Sequence, residues 1–162
     1  MNSGVEDAGE LTAPREWQYC SGCKPQGACR VGLVRWLEED GSVSGRITFG
    51  KDVEGGPGVI HGGYAAVVFD ELLGTATTGP AGVPVAVTKS LTVHYRRPIP
   101  IEQPIVLRAW RVRTLDRDMF IDGEMRLASS DALLATAESV FTAVTDRHFQ
   151  RHKEWLAQQR PA

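Results

Sequence analysis

Two neighbouring carboxylates, Asp70 and Glu71, stand in the middle of the longest apolar run of the chain, which begins with His61-Gly62-Gly63 and reaches Gly74. Burying a carboxylate without partners costs several kcal/mol, so one placed among Val67, Val68, Phe69, Leu72 and Leu73 marks a position of use. A helix that starts in glycines offers unobstructed N–H groups and the positive end of its dipole to a developing oxyanion. A carboxylate kept from full solvation can take a proton from an attacking water. Adjacent helix positions point about 100° apart, so only one of the two carboxylates can face such a site. Asp70 shares its face with Ala66, Leu73 and Thr77, and Glu71 is the second candidate for the base. Each residue also has a structural reading: the glycines could allow close packing, and Asp70 could be satisfied by backbone donors.

The elements that would position these groups follow from the patterning around them. Residues 31–37 alternate as a strand, Asp40-Gly41 supplies the positive φ of a tight hairpin, and residues 43–49 alternate as its antiparallel partner. Residues 51–58, rich in Gly and Pro, read as loop. The apolar run is too continuous for periodicity to decide. Its length of about 17 residues, its Ala and Leu, and the Gly79-Pro80 stop make it a helix ending near Thr78. Residues 85–97 form a long strand, with Leu91, Val93 and Tyr95 on one face and Thr88, Ser90, Thr92 and His94 on the other, ended by Pro98 and Pro100. Residues 104–115, 119–127 and 133–145 are three further strands joined by short polar hairpins. Residues 147–160 read as a basic helix with Phe149, Trp155 and Leu156 available for docking. The order β-β-α-β-β-β-β is an α+β arrangement, a curved antiparallel sheet wrapped around one long helix.

Composition narrows the classes of function. With 162 residues, a net charge of −2 and 23% charged residues, the chain reads as one ordinary globular domain with no signature of nucleic-acid binding. No apolar run approaches the roughly 20 residues of a membrane span. Residues 1–19 are expected to be a disordered leader, residues 20–146 the folded domain and residues 147–162 a terminal helix or tail. With no secretory signal pattern, the cytoplasm is the expected compartment. Cys20, Cys23 and Cys29 are odd in number, and Cys20-x-x-Cys23 has no second pair, so reduced thiols are expected rather than disulfides or a zinc site. No metal and no cofactor is expected.

Gly58-x-x-His61-Gly62-Gly63 with Asp70 nine residues after the His, followed by a strand ending Tyr95-Arg96-Arg97-Pro98-Ile99-Pro100, resembles the hotdog-fold acyl-CoA thioesterases. The nearest type is the PaaI-like branch of the 4-hydroxybenzoyl-CoA thioesterase-like superfamily, in which the helix carries Asp. Cys20-x-x-Cys23 matches a segment that often precedes the first strand there. The resemblance implies that the Gly62 N–H polarises a thioester carbonyl and that Asp70 acts as base on water or as nucleophile. Thr88, seven residues before Tyr95, would orient the water, and His61 would shape the pocket or hydrogen-bond near the carbonyl. Many members carry Asn six residues before the His as a second donor, and here that position is Gly55.

Spacing adds a constraint. Gly62 and Asp70 lie eight residues apart, about 12 Å along a helix. A side chain leaning toward the N-terminus recovers only about 3 Å of it. Two antiparallel helices can bring both groups to one reaction centre, which predicts a homodimer with two composite sites, as the family is built, and leaves a dimer of dimers open. Gly63, Gly55 and Tyr64 are the expected substrate-contact positions near the helix start. Arg96 and Arg97 are candidates for coenzyme A phosphates, where guanidinium forks pair well. The expected substrate is an acyl-CoA or acyl carrier-protein thioester. A non-catalytic acyl-CoA binder and an acyl-CoA hydratase or dehydratase are the competing functions.

Overall fold

The computed structural model describes residues 31–78 and 85–159. The expected leader, the three cysteines and the Gly79-Pro80 stop lie outside them. The strands are β1 (Val34–Leu37), β2 (Val43–Thr48), β3 (Glu54–Gly56), β4 (Val59–Ile60), β5 (Ala86–Tyr95), β6 (Pro104–Leu115), β7 (Asp118–Leu127) and β8 (Leu133–Ala143). The helices are α1 (Gly62–Thr75) and α2 (Asp146–Gln158). Six strands form one antiparallel sheet in the order β1-β2-β6-β7-β8-β5, and α1 packs against it. This is the hotdog fold. No described helix is long and apolar enough to cross a membrane.

The core lies between α1 and one face of the sheet. Ala65, Val68, Phe69, Leu72 and Leu73 of the helix are buried against Ile105, Leu107, Ile121, Met125 and Ala137 of the sheet. Each large side chain so buried stabilises the fold by about 1.5–3 kcal/mol. The helix seats closely because two strand positions beneath it lack a side chain. A Cβ on Gly45 would stand 2.9 Å from Leu72 Cδ1, and one on Gly123 would stand 2.8 Å from Leu73 Cδ1.

Three details depart from the sequence reading. The helix stops at Thr75 rather than near Thr78, where the Arg111 guanidinium donates to the carbonyls of Ala76, Thr77 and Thr78 at 3.2, 2.7 and 3.2 Å. A cation on these terminal carbonyls both satisfies them and complements the helix dipole. The segment read as loop contains the β3–β4 hairpin, turned at Pro57-Gly58 with Gly58 at φ +74°. Finally, β5 carries a bulge. Thr88 pairs with Phe141 and Ser90 with Val140, leaving Lys89 as the extra residue. The bulge moves Thr88 onto the face of Leu91, Val93 and Tyr95, and leaves His94 on the other face. Strict alternation puts Thr88 with His94, and a single inserted residue reverses that.

Candidate active site

His61 is the N-cap of α1, in extended backbone at φ −65° and ψ 129°, and its Nδ1 accepts from the Gly63 N–H at 3.1 Å. A ring that accepts at Nδ1 carries its proton on Nε2, so the exposed edge of this imidazole is a donor. The His61 N–H donates to the Val53 carbonyl at 2.8 Å and the Ile60 N–H to Ile99 at 3.0 Å, so β4 and its neighbours fix the approach to the helix. The His61 carbonyl accepts from Tyr64 N–H at 3.0 Å. Gly62 N–H, ahead of the first intrahelical bond, has no acceptor among the described residues. It is the open donor at the positive end of the helix.

Asp70, half-buried, accepts at Oδ1 from the Thr88 hydroxyl at 2.8 Å. The structure therefore brings Asp70 and Thr88 together, and the bulge at Lys89 makes this possible. The bulged lysine is itself anchored, 2.6 Å from Asp118 Oδ2. The Lys89 hydrogen bond, followed by that of Thr142, holds the Asp118 carboxyl below its ordinary range.

Glu71 has a different environment. It lies 3.6 Å from the buried Arg35 guanidinium. Burial pushes its pKa up, against the lowering pull of Arg35, with a further push from Asp70. A carboxylate engaged with a buried arginine on β1 is a structural group, whereas Asp70 meets the Thr88 hydroxyl. The sequence reading missed the pair. Its signal was an arginine on the same strand face as Leu33 and Leu37.

A groove of about 340 Å³ adjoins the helix start, and its lining includes Ile60, Gly62, Tyr95, Arg96, Arg97 and Ile99. Both arginines thus share a cavity with Gly62. Arg96 is exposed, whereas Arg97 donates to the Leu133 carbonyl at 2.7 Å. Gly63 and Tyr64 are exposed beside the cap. Phe69 and Leu73 are wholly buried in the core. Gly55 backs directly onto His61: a Cβ there would lie 2.4 Å from His61 Cα. This backbone has no room for the side-chain donor that the resemblance leads one to expect at that position. Tyr95, a landmark of the sequence motif with no role assigned, donates its hydroxyl to the Gly62 carbonyl at 2.5 Å. Among the described residues no three His, Cys, Asp or Glu side chains are grouped to hold a metal ion.

This fold, with a glycine-started helix carrying Asp70 against Thr88, is a hotdog domain and is similar to those of thioesterases. Residues 57–133 match the Thioesterase superfamily. Acyl-coenzyme A thioesterase THEM4 of Bos taurus is 27% identical over 92 residues, 57% of this chain and 37% of the relative. The chain therefore spans less than two fifths of the length of that curated relative. The crystal structure of a thioesterase superfamily protein superposes with TM-score 0.67 at 28% identity, covering 76% of this chain and 62% of the other. The PaaI protein of E. coli shares the fold at TM-score 0.63 and 16% identity, over 71% of this chain and 81% of its own.

Proposed function

We propose that this chain is a thioester hydrolase that cleaves acyl-CoA, or acyl carrier-protein, thioesters to a free acid and a thiol. The hydrogen bond from Thr88 to Asp70 carries the reading, because it fixes one carboxylate oxygen and leaves the other to receive a proton. In the reaction, water adds to the thioester carbonyl carbon while Asp70 takes its proton. The negative charge that develops on the carbonyl oxygen is met by the open Gly62 N–H and the helix dipole. The C–S bond then breaks, and the proton passes to the departing thiolate. Arg96, with Arg97 beside it, supplies positive charge for the phosphates of coenzyme A.

Asp70 and Gly62 of one helix lie too far apart to act on one carbonyl, so the site is completed by a second copy. The form of β5 supports this. It is the last strand of the sheet, ten residues long, with its outer edge open among the described residues. Open edges of this length are pairing surfaces. Both halves of the site hang from this strand, Asp70 through Thr88 and Gly62 through Tyr95. Antiparallel pairing of two copies about a two-fold near Leu91 and Thr92 brings Thr88 and Asp70 of each toward Tyr95 and Gly62 of the other.

The test is release of free thiol from short, long and aromatic acyl-CoAs by the wild type and Asp70→Asn. Turnover lost in the variant supports the assignment. Equal rates in the two would remove Asp70 as base, and tight binding without turnover of any substrate would make the chain an acyl-CoA binder instead.

A further inference from the structure

We propose that Tyr95 is the positioning residue of the oxyanion site, acting through the Gly62 peptide. The inference rests on the thioesterase reading above. Glycine has the widest φ/ψ freedom of any residue, so an N–H borne by Gly62 points in a fixed direction only if the flanking peptide planes are held. The plane before Gly62 is held by the bond from Tyr64 N–H to the His61 carbonyl. The plane after it is held at both ends, the Gly62 carbonyl by the Tyr95 hydroxyl and the Gly63 N–H by His61 Nδ1.

The tether also explains the glycine. A Cβ on residue 62 would stand 3.2 Å from the Tyr95 hydroxyl oxygen and 3.3 Å from Cζ, tighter than ordinary contact. Tyr95 is 51% exposed, so its ring contributes little to the core, and its hydroxyl could as readily have been left to water. It bonds instead to the residue at the helix start whose own N–H is open. Hydrogen bonds made to one peptide group also polarise its neighbours, which adds to the positioning effect.

Tyr95→Phe removes the hydroxyl and keeps the ring, on an exposed position where misfolding is not expected. The variant is expected to lose about tenfold in kcat, the equivalent of one ordinary hydrogen bond, with KM nearly unchanged. In glycine-selective 15N spectra the amide signals of Gly62 and Gly63 shift, while those of Gly45 and Gly123 stay in place. A structural tyrosine alone would lower Tm and leave kcat as it was. Unmoved Gly62 and Gly63 signals, or an unchanged kcat well below Tm, overturn the proposal. Absence of any wild-type turnover would defeat the hydrolase reading instead, and the amide signals would then decide the tether by themselves.

Discussion

The Thr88 hydroxyl reaches Asp70 at 2.8 Å only because Lys89 is bulged out of the β5–β8 ladder. Phe141, buried beneath α1, is the partner of Thr88, and this pairing points the threonine at the helix. Bulges of this kind re-aim one side chain without altering the rest of a strand. Thr88→Val, which keeps the shape and loses the donor, is expected to lower kcat about tenfold. Deletion of Lys89 removes the extra residue and leaves Thr88, Ser90 and Leu91 in strict alternation with Thr88 still toward the helix, so it is expected to cost less than Thr88→Val. Steady-state kinetics on both variants checks this, and a Lys89 deletion as impaired as Thr88→Val would show that the bulge sets more than the face Thr88 occupies.

Asp70 and Glu71 separate by function. Asp70→Asn keeps an acceptor for Thr88 but no base, and kcat is expected to fall by about 10²–10⁴. Glu71→Gln leaves the base intact and changes stability. Burial raises Glu71 above its ordinary value of 4.5, so the folded chain holds that proton more tightly than the unfolded chain does. Stability from this group is therefore fully present below the ordinary value and falls as pH rises through the raised folded value. Urea midpoints measured across that window should flatten in Glu71→Gln. Arg35→Leu alone leaves Glu71 buried without its cation and is expected to be destabilised at neutral pH, and adding Glu71→Leu should recover much of the loss.

Much of the fold was legible because its signals are local. The Asp-Gly hairpin, the proline stops and the alternation of β6, β7 and β8 each follow from a few neighbouring residues. Asp70 stood out because a carboxylate in an apolar helix conflicts with its surroundings. What could not be read depends on pairing between distant segments. The side of β5 that Thr88 occupies is set by its register against β8, and nothing in residues 85–97 announces a bulge at Lys89. Similarly, Glu71 becomes structural only because Arg35, thirty-six residues away in sequence, lies beneath it. The carbonyls that follow the end of α1 at Thr75 are taken by Arg111, from a strand more than thirty residues on in sequence.

Gly55 yields a prediction that runs against the family pattern. Restoring the side-chain donor with Gly55→Asn should not raise activity, because any Cβ there would collide with the His61 backbone. Relief requires moving β3 or the helix cap, at a cost of about 1–3 kcal/mol or more. The expected result is a lower urea midpoint together with lower kcat, since the displaced His61 no longer caps Gly63. A stable Gly55→Asn enzyme with enhanced turnover would show that the site has room for a second donor after all.

Gly62→Pro offers a way to remove a backbone donor without removing the helix. Proline is favoured at the first helical position, where its missing N–H is needed for no intrahelical bond. The residue before it must be extended, and His61 at φ −65° and ψ 129° already is. The Cβ of the ring presses on Tyr95 by a few tenths of an ångström, which an exposed side chain can absorb. Loss of the oxyanion donor is expected to lower kcat by about 10²–10³. Asp70→Asn and Gly62→Pro are then each inactive for a different reason. If every site draws its base from one copy and its donor from the other, unfolding and refolding them together produces mixed dimers with one intact site and one doubly defective site. Random assortment gives up to about a quarter of wild-type activity from two dead parents. A site contained within a single chain recovers nothing on mixing, and that result would sink the composite arrangement even if Asp70 and Gly62 both prove essential.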